Sequence, residues 1–143
     1  MLVSQVLKKK GNQVVTIQPA ATIKDVADKL AELNFGALVV SANGSSVDGI
    51  ISERDIVRSL ARDGVKCLDS AVSDLMVSSV ITCGPEANIE HVMATMTDGH
   101  FRHMPIVVDA AMVGLVSIGD IVNARLDELE DERQHLTNYI SGR

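Results

Sequence analysis

The chain has no Trp, one Tyr and two Phe among 143 residues, so aromatics make up 2% of it although 46% is hydrophobic. Its core must be built from Val, Ile, Leu, Ala and Met, packed through branched and flexible side chains. Cysteine is nearly absent. Cys67 and Cys83 are too far apart for a CxxC pair, and no HExxH or clustered His/Cys spacing occurs, so no metal-ligand signature is present. A disulfide between them stays open, but without a secretion signal two reduced thiols are the simpler reading. Positive charge is in deficit. A net charge of -6 and a pI near 5.1 argue against nucleic acid or an anionic membrane as the main partner. The one basic run, Lys8-Lys9-Lys10, precedes Gly11 and reads as a solvated turn. No apolar run approaches the length that crosses a bilayer. Residues 1–11 carry their charges after their apolar positions, the reverse of a signal peptide. A soluble cytoplasmic protein is expected.

What is present is written twice. Val14-Val15-Thr16-Ile17-Gln18-Pro19 recurs 66 residues on as Val80-Ile81-Thr82-Cys83-Gly84-Pro85. At the same offset Ile23, Val26, Leu30 and Phe35 fall on Ile89, Val92, Met96 and Phe101. Later, Gly49-Ile50-Ile51-Ser52-Glu53-Arg54-Asp55-Ile56-Val57 recurs 65 residues on, from Gly114 to Val122. Even the preludes agree, Ser4-Gln5-Val6-Leu7 matching Ser73-Asp74-Leu75-Met76.

Each copy predicts the order β-α-β-β-α. A β-branched run (residues 14–17; 80–82) stops at a proline, as a short strand does. Thr22-Ile23-Lys24-Asp25 has capping-box spacing, and Ile23, Val26, Ala27, Leu30 and Leu33 make a helical stripe. Asn88 takes the cap in the second copy. An apolar run (37–40; 104–108), a turn, and a second short strand (48–51; 112–116) form a hairpin, and a last helix opens at Ser52 or Ser117. Residues 58–72 read as a connection. A unit of about 50 residues buries its core poorly alone, so the sheet face of one copy should be covered by the other. The expected fold is α+β, two repeats packed pseudo-symmetrically, with boundaries at 1–66, 67–124 and a C-terminal amphipathic helix at 125–143.

The motif that carries chemistry is Gly-h-h-Ser-x-x-Asp, present in both copies. The Gly admits a close approach to the backbone. The Ser hydroxyl and the first-turn amides offer an anion site, and the Asp one turn on can accept from the two hydroxyls of a ribose. Taken singly, Ser-x-x-Asp is also a plain capping box. Its recurrence after a Gly-led strand, inside a duplicated unit, is what points to a ligand.

These residues resemble a tandem pair of CBS domains, the module named after cystathionine β-synthase. GIISERDIV and GLVSIGDIV match the family's terminal motif, and FGALVV and FRHMPIVV its second strand. The resemblance implies a non-catalytic regulatory module of Bateman type. It would take an adenine nucleotide (AMP first, or ADP, ATP, an NAD-type ligand or S-adenosylmethionine) in pseudo-symmetric clefts and signal to an effector protein. It implies that Ser52 and Ser117 touch phosphate, that Asp55 and Asp120 hold ribose, and that Thr16, Thr82, Ala37, Leu38, Met104 and Pro105 wall in the base. Arg102 and His103 replace Gly36 and Ala37 in the second copy. The cleft of Ser117, Asp120, Arg102 and His103 is therefore expected to bind phosphate more tightly, with Arg54 a further candidate. The alternatives are a surface salt bridge for Arg102 and a structural imidazole for His103.

His91 and His100 read as surface residues, Phe35 and Phe101 as core, and Cys83 as a small buried residue. Beyond the repeats, Val122, Leu126, Leu129, Arg133, Leu136 and Ile140 form a heptad-type seam. It folds back on its own domain or packs on a second subunit, and the family's habit favours a homodimer. A nucleotide hydrolase and an interaction module with vestigial clefts are the competing functions.

Overall fold

A computed structural model describes residues 1–142. The chain opens with α1 (Val3–Lys10), then β1 (Thr16–Ile17), α2 (Ile23–Leu33), β2 (Ala37–Val40), β3 (Gly49–Ser52) and α3 (Glu53–Asp63). A 3-10 turn (Gly64–Asp69) and α4 (Val72–Leu75) lead to α5 (Ile89–Gly99), β4 (His103–Val108), β5 (Ala111–Ser117) and α6 (Ile118–Ile140). The mixed architecture expected from the duplication is present.

Local sequence accounts for the helix starts. Thr22, Ser52 and Ser117 each accept from the amide three residues on while that Asp returns a carboxylate to the cap, and the Asn88 side chain accepts from the Glu90 amide. Asn34 and His100 end α2 and α5 in the left-handed conformation, at φ 59° and 56°. In the first sheet β2 lies between parallel β1 and antiparallel β3, and all four of its residues are buried. The second hairpin pairs His103 with Ser117 and Val108 with Ala111, closing on Asp109 and Ala110, both at positive φ as a two-residue hairpin turn requires.

Four expectations are corrected. In the first copy only Thr16–Ile17 is strand. In the second, residues 80–82 form none, and a single parallel bridge joins Cys83 to Ile106. The chain is also held earlier, on the other sheet: Val77 and Ile50 of β3 exchange both backbone hydrogen bonds at 2.9 Å. The connection at 58–72 contains the end of α3, the 3-10 turn and the start of α4. Phe35 follows the left-handed cap Asn34 and is 45% exposed, whereas Phe101 packs partly on the core. Lys8-Lys9-Lys10 is exposed as expected but forms the last turn of α1, with Lys9 near Asp127 and Lys10 paired with Asp120.

Two cores form, and each is completed by the other copy's prelude. Val3, Val6 and Leu7 of α1 pack with Ile89, Val92, Met104, Ile106 and Ile121, while Val72, Leu75 and Met76 join Ile23, Val26, Leu38 and Ile51. The backbone repeats the exchange. Val3 and Ser4 amides donate to Ala87 and Pro85 carbonyls (2.9 and 2.8 Å), as Val72 and Ser73 donate to Ala21 and Pro19 (2.8 and 3.0 Å). The motif glycines serve this packing. A Cβ on Gly114 would lie 2.7 Å from Leu7 Cδ2, and one on Gly49 would collide with Met76 Sδ. The group that approaches the glycine closely is thus the exchanged prelude. No helix among the described residues is long and apolar enough to cross a membrane.

Candidate functional site

At the start of α3, Ser52 Oγ donates to Asp55 Oδ2 (3.0 Å) and its amide donates to the same oxygen (2.8 Å). Asp55 Oδ1 has no partner among the described residues. The Glu53 amide is taken by the Gly36 carbonyl at 3.0 Å, so of the first-turn amides Arg54 N–H stays open. The row of free amides expected from the motif is therefore reduced, and side-chain cations must supply the rest of any anion site. The second copy repeats the arrangement: Ile118 N–H donates to the Arg102 carbonyl (2.8 Å) and Ser117 N–H to Asp120 Oδ2 (2.8 Å).

A cavity of about 660 Å³ opens between the copies, lined by Ser52, Arg54, Asp55 and Arg58 of the first and by Ser79, Val80, Phe101, Arg102 and His103 of the second. Ala37 also reaches it. The grouping expected from the sequence is thereby corrected. Arg102 and His103 lie at the first copy's motif, although His103 is the sheet partner of Ser117. The reason is position: Arg102 and His103 enter β4 where Gly36 and Ala37 enter β2, and the two strand starts meet. A Cβ on Gly36 would stand 3.4 Å from His103 Cε1 and 3.1 Å from Glu53 Oε1.

Other expected residues lie elsewhere. Leu38, Met104 and Pro105 are buried core positions off the cavity, and Thr82 is exposed. Thr16 is half-buried in β1 and does not line the cavity either. Arg58, Ser79 and Glu53 were not foreseen. Arg58 was legible in principle, since it follows Arg54 by four residues and so shares its helix face.

At the second motif Lys10 Nζ lies 2.5 Å from Asp120 Oδ2 and 2.7 Å from the Leu115 carbonyl, beside a small cavity of about 180 Å³. Burial alone would raise the Asp120 carboxyl, but hydrogen bonds from Lys10 and Ser117 outweigh it and hold the group below its ordinary value. Burial, followed by the Lys10 charge, holds the His103 imidazole below its usual pKa against the pull of Asp120 and Glu53. His103 is therefore neutral at pH 7. Cys67 is buried and Cys83 half-buried, both as free thiols.

The CBS domain matches the chain twice, over residues 3–62 and 72–127. The CBS domain-containing protein CBSX3, mitochondrial, of Arabidopsis thaliana is 36% identical over 148 residues, covering 98% of this chain and 72% of its own. The CBS-domain containing protein ATU1752 from Agrobacterium tumefaciens has a similar structure, with a TM-score of 0.84 and 38% identity over 87% of this chain and 99% of its own. The CBS domain pair of protein MJ0100, solved in complex with 5'-methylthioadenosine and S-adenosyl-L-methionine, gives a TM-score of 0.77 and 25% identity over 87% of this chain and 98% of its own. Two matched repeats, folded as a pair around one cleft, place this chain in the CBS domain family.

Proposed function

We propose that this CBS pair is a non-catalytic regulatory module that binds an adenine nucleotide, AMP foremost, in the cavity between its repeats and signals occupancy to a partner protein. The observation that carries the reading is how the arginines are sorted. Arg62, Arg125 and Arg133 are ion-paired with carboxylates. Arg54, Arg58 and Arg102, which line the cavity, have no carboxylate partner among the described residues. Unpaired guanidinium forks match phosphate oxygens in geometry and charge.

The remaining parts of a nucleotide find complementary groups. Asp55 Oδ1 is free to accept from ribose hydroxyls, and Val57, Val80, Ile81 and Phe101 offer apolar surface to a base. The volume of about 660 Å³ suits a ligand of nucleotide size. The MJ0100 complexes support an adenosyl ligand in this fold. S-adenosylmethionine brings cationic centres and no phosphate, so the arginines favour a nucleotide over it. Ser52 is committed to Asp55 with no imidazole between them, which leaves it a cap and a ligand donor without an activating base. A bound nucleotide would bridge α3 to the entrance of β4 and stabilise their closed arrangement, which is how occupancy becomes a signal.

A second reading, an interaction module with vestigial clefts, draws on the outer seam of α6, where Leu126, Leu129, Leu136 and Ile140 are exposed. The same seam is the proposed contact of a cytoplasmic homodimer. Calorimetric titration with AMP, ATP, NADH and S-adenosylmethionine separates the readings. Micromolar binding of a nucleotide, lost in Asp55→Ala, supports the sensor. No heat from any ligand, with self-association retained, leaves the interaction module.

A further inference from the structure

The two motifs share Gly, Ser, Asp, Ile and Val at matched places, and their surroundings differ at Gly36 against Arg102, at Ala37 against His103 and at one further matched position in the preludes. The exchanged preludes align Ser4 with Ser73 and Leu7 with Met76, a match their hydrogen bonds and glycine contacts repeat. Carried three residues on, that register sets Lys10 against Ser79.

At the first motif α4 ends at Leu75, and the chain turns out to pair Val77 with Ile50 at 2.9 Å. Ser79 then lies on the wall of the 660 Å³ cavity. At the second motif α1 runs on to Lys10, so no strand reaches the Leu115 carbonyl, which is the counterpart of Ile50's. Lys10 Nζ takes that carbonyl at 2.7 Å and Asp120 Oδ2 at 2.5 Å. Asp55, the counterpart of Asp120, has no cation paired with it among the described residues.

We infer that Lys10 closes the second motif, so that the chain takes one nucleotide and not two, and that the residue at this position sets the number of sites. Ribose hydroxyls would have to displace an ammonium from Asp120, exchanging an ion pair for hydrogen bonds from neutral donors and leaving the Lys10 charge without its partner. The inference rests on the nucleotide reading but makes its own demand, a second site created by removing one amine.

The test is equilibrium dialysis of the full chain against AMP, counting sites, with thermal melts confirming that each variant is folded. Wild type should bind one AMP and Lys10→Ser two. Lys10→Ser with Asp55→Ala should bind one, lost again on adding Asp120→Ala. Lys10→Ala gives the same count and replaces Lys10→Ser should the latter not fold. Two sites in wild type, or no added site in either Lys10 variant, overturns the inference. If wild type binds nothing while Lys10→Ser binds one AMP sensitive to Asp120→Ala, the cavity reading fails and the role of Lys10 stands.

Discussion

Lys10 Nζ stands 2.5 Å from Asp120 Oδ2, joining the last turn of α1 to the first turn of α6 across 110 residues of sequence. Two motifs that read alike are thereby made unequal: one carboxylate carries an ion pair, and the other faces an open cavity with three arginines around it that have no carboxylate partner among the described residues.

Arg58→Ala and Arg102→Ala should each weaken AMP about 10- to 100-fold, the loss of one charge-assisted contact of about 1.5–3 kcal/mol. Adenosine, lacking phosphate, should change less than threefold. Titration calorimetry of both ligands decides; equal losses for the two would mean that the arginines shape the base wall and do not bind phosphate.

His103 has a folded-state pKa below its unfolded value near 6.5, because burial opposes its charge. As pH falls the unfolded chain takes the proton first. The stabilisation is therefore complete above about pH 6.5 and is lost as pH drops through the folded value. Urea midpoints should fall between pH 7 and pH 5, and His103→Gln should flatten that slope. An unchanged slope in the variant would remove His103 as its source.

Val3 and Val72 are both fully buried, each in the core of the opposite copy. Val3→Asp or Val72→Asp puts an unpaired carboxylate there, at a cost of about 3–5 kcal/mol. Because each prelude completes the other core, calorimetric melting should show one transition that moves down as a unit. Two separable transitions would mean that the copies fold independently.

Burial, with a smaller push from Glu86, raises the Cys83 thiol to about 11. At pH 8 roughly one thiol in a thousand is ionised. Cys83 should resist iodoacetamide in the folded chain and react on unfolding in urea; rapid labelling of the native protein at pH 8 would contradict this.

Leu126 and Leu129 lie 58% and 44% exposed on α6. If this seam joins two copies, Leu126→Glu with Leu129→Glu should halve the mass seen by sedimentation while leaving the melting temperature within a few degrees. A wild type already monomeric at micromolar concentration would dismiss the homodimer.

The parts legible in the sequence are those that short-range physics decides. Capping at Thr22, Ser52, Asn88 and Ser117 depends on hydrogen bonds spanning two or three residues, and the helical stripes on a period the chain displays openly. The misreadings share a different cause. Val80-Ile81-Thr82 has strand composition, but a strand needs a paired neighbour, and toward β4 only Cys83 forms a bridge, to Ile106. Phe35 has core chemistry, yet its ring is half exposed, while Phe101, which also follows a left-handed cap, packs on the core of its own copy.

By itself the sequence determined the duplication, the order of elements, the two Ser-x-x-Asp turns and the family resemblance, because each is written in residues close together along the chain. Which side chains share a cleft was set by the packing of the two halves. That packing brought Arg102 and His103 to Ser52 and Asp55, crossed the preludes between the cores, and set Lys10 on Asp120. Those choices depend on how two helix-and-sheet units meet. Neither copy's local pattern contains that information, since the energy that selects the meeting comes from apolar faces and charges supplied by the opposite half of the chain.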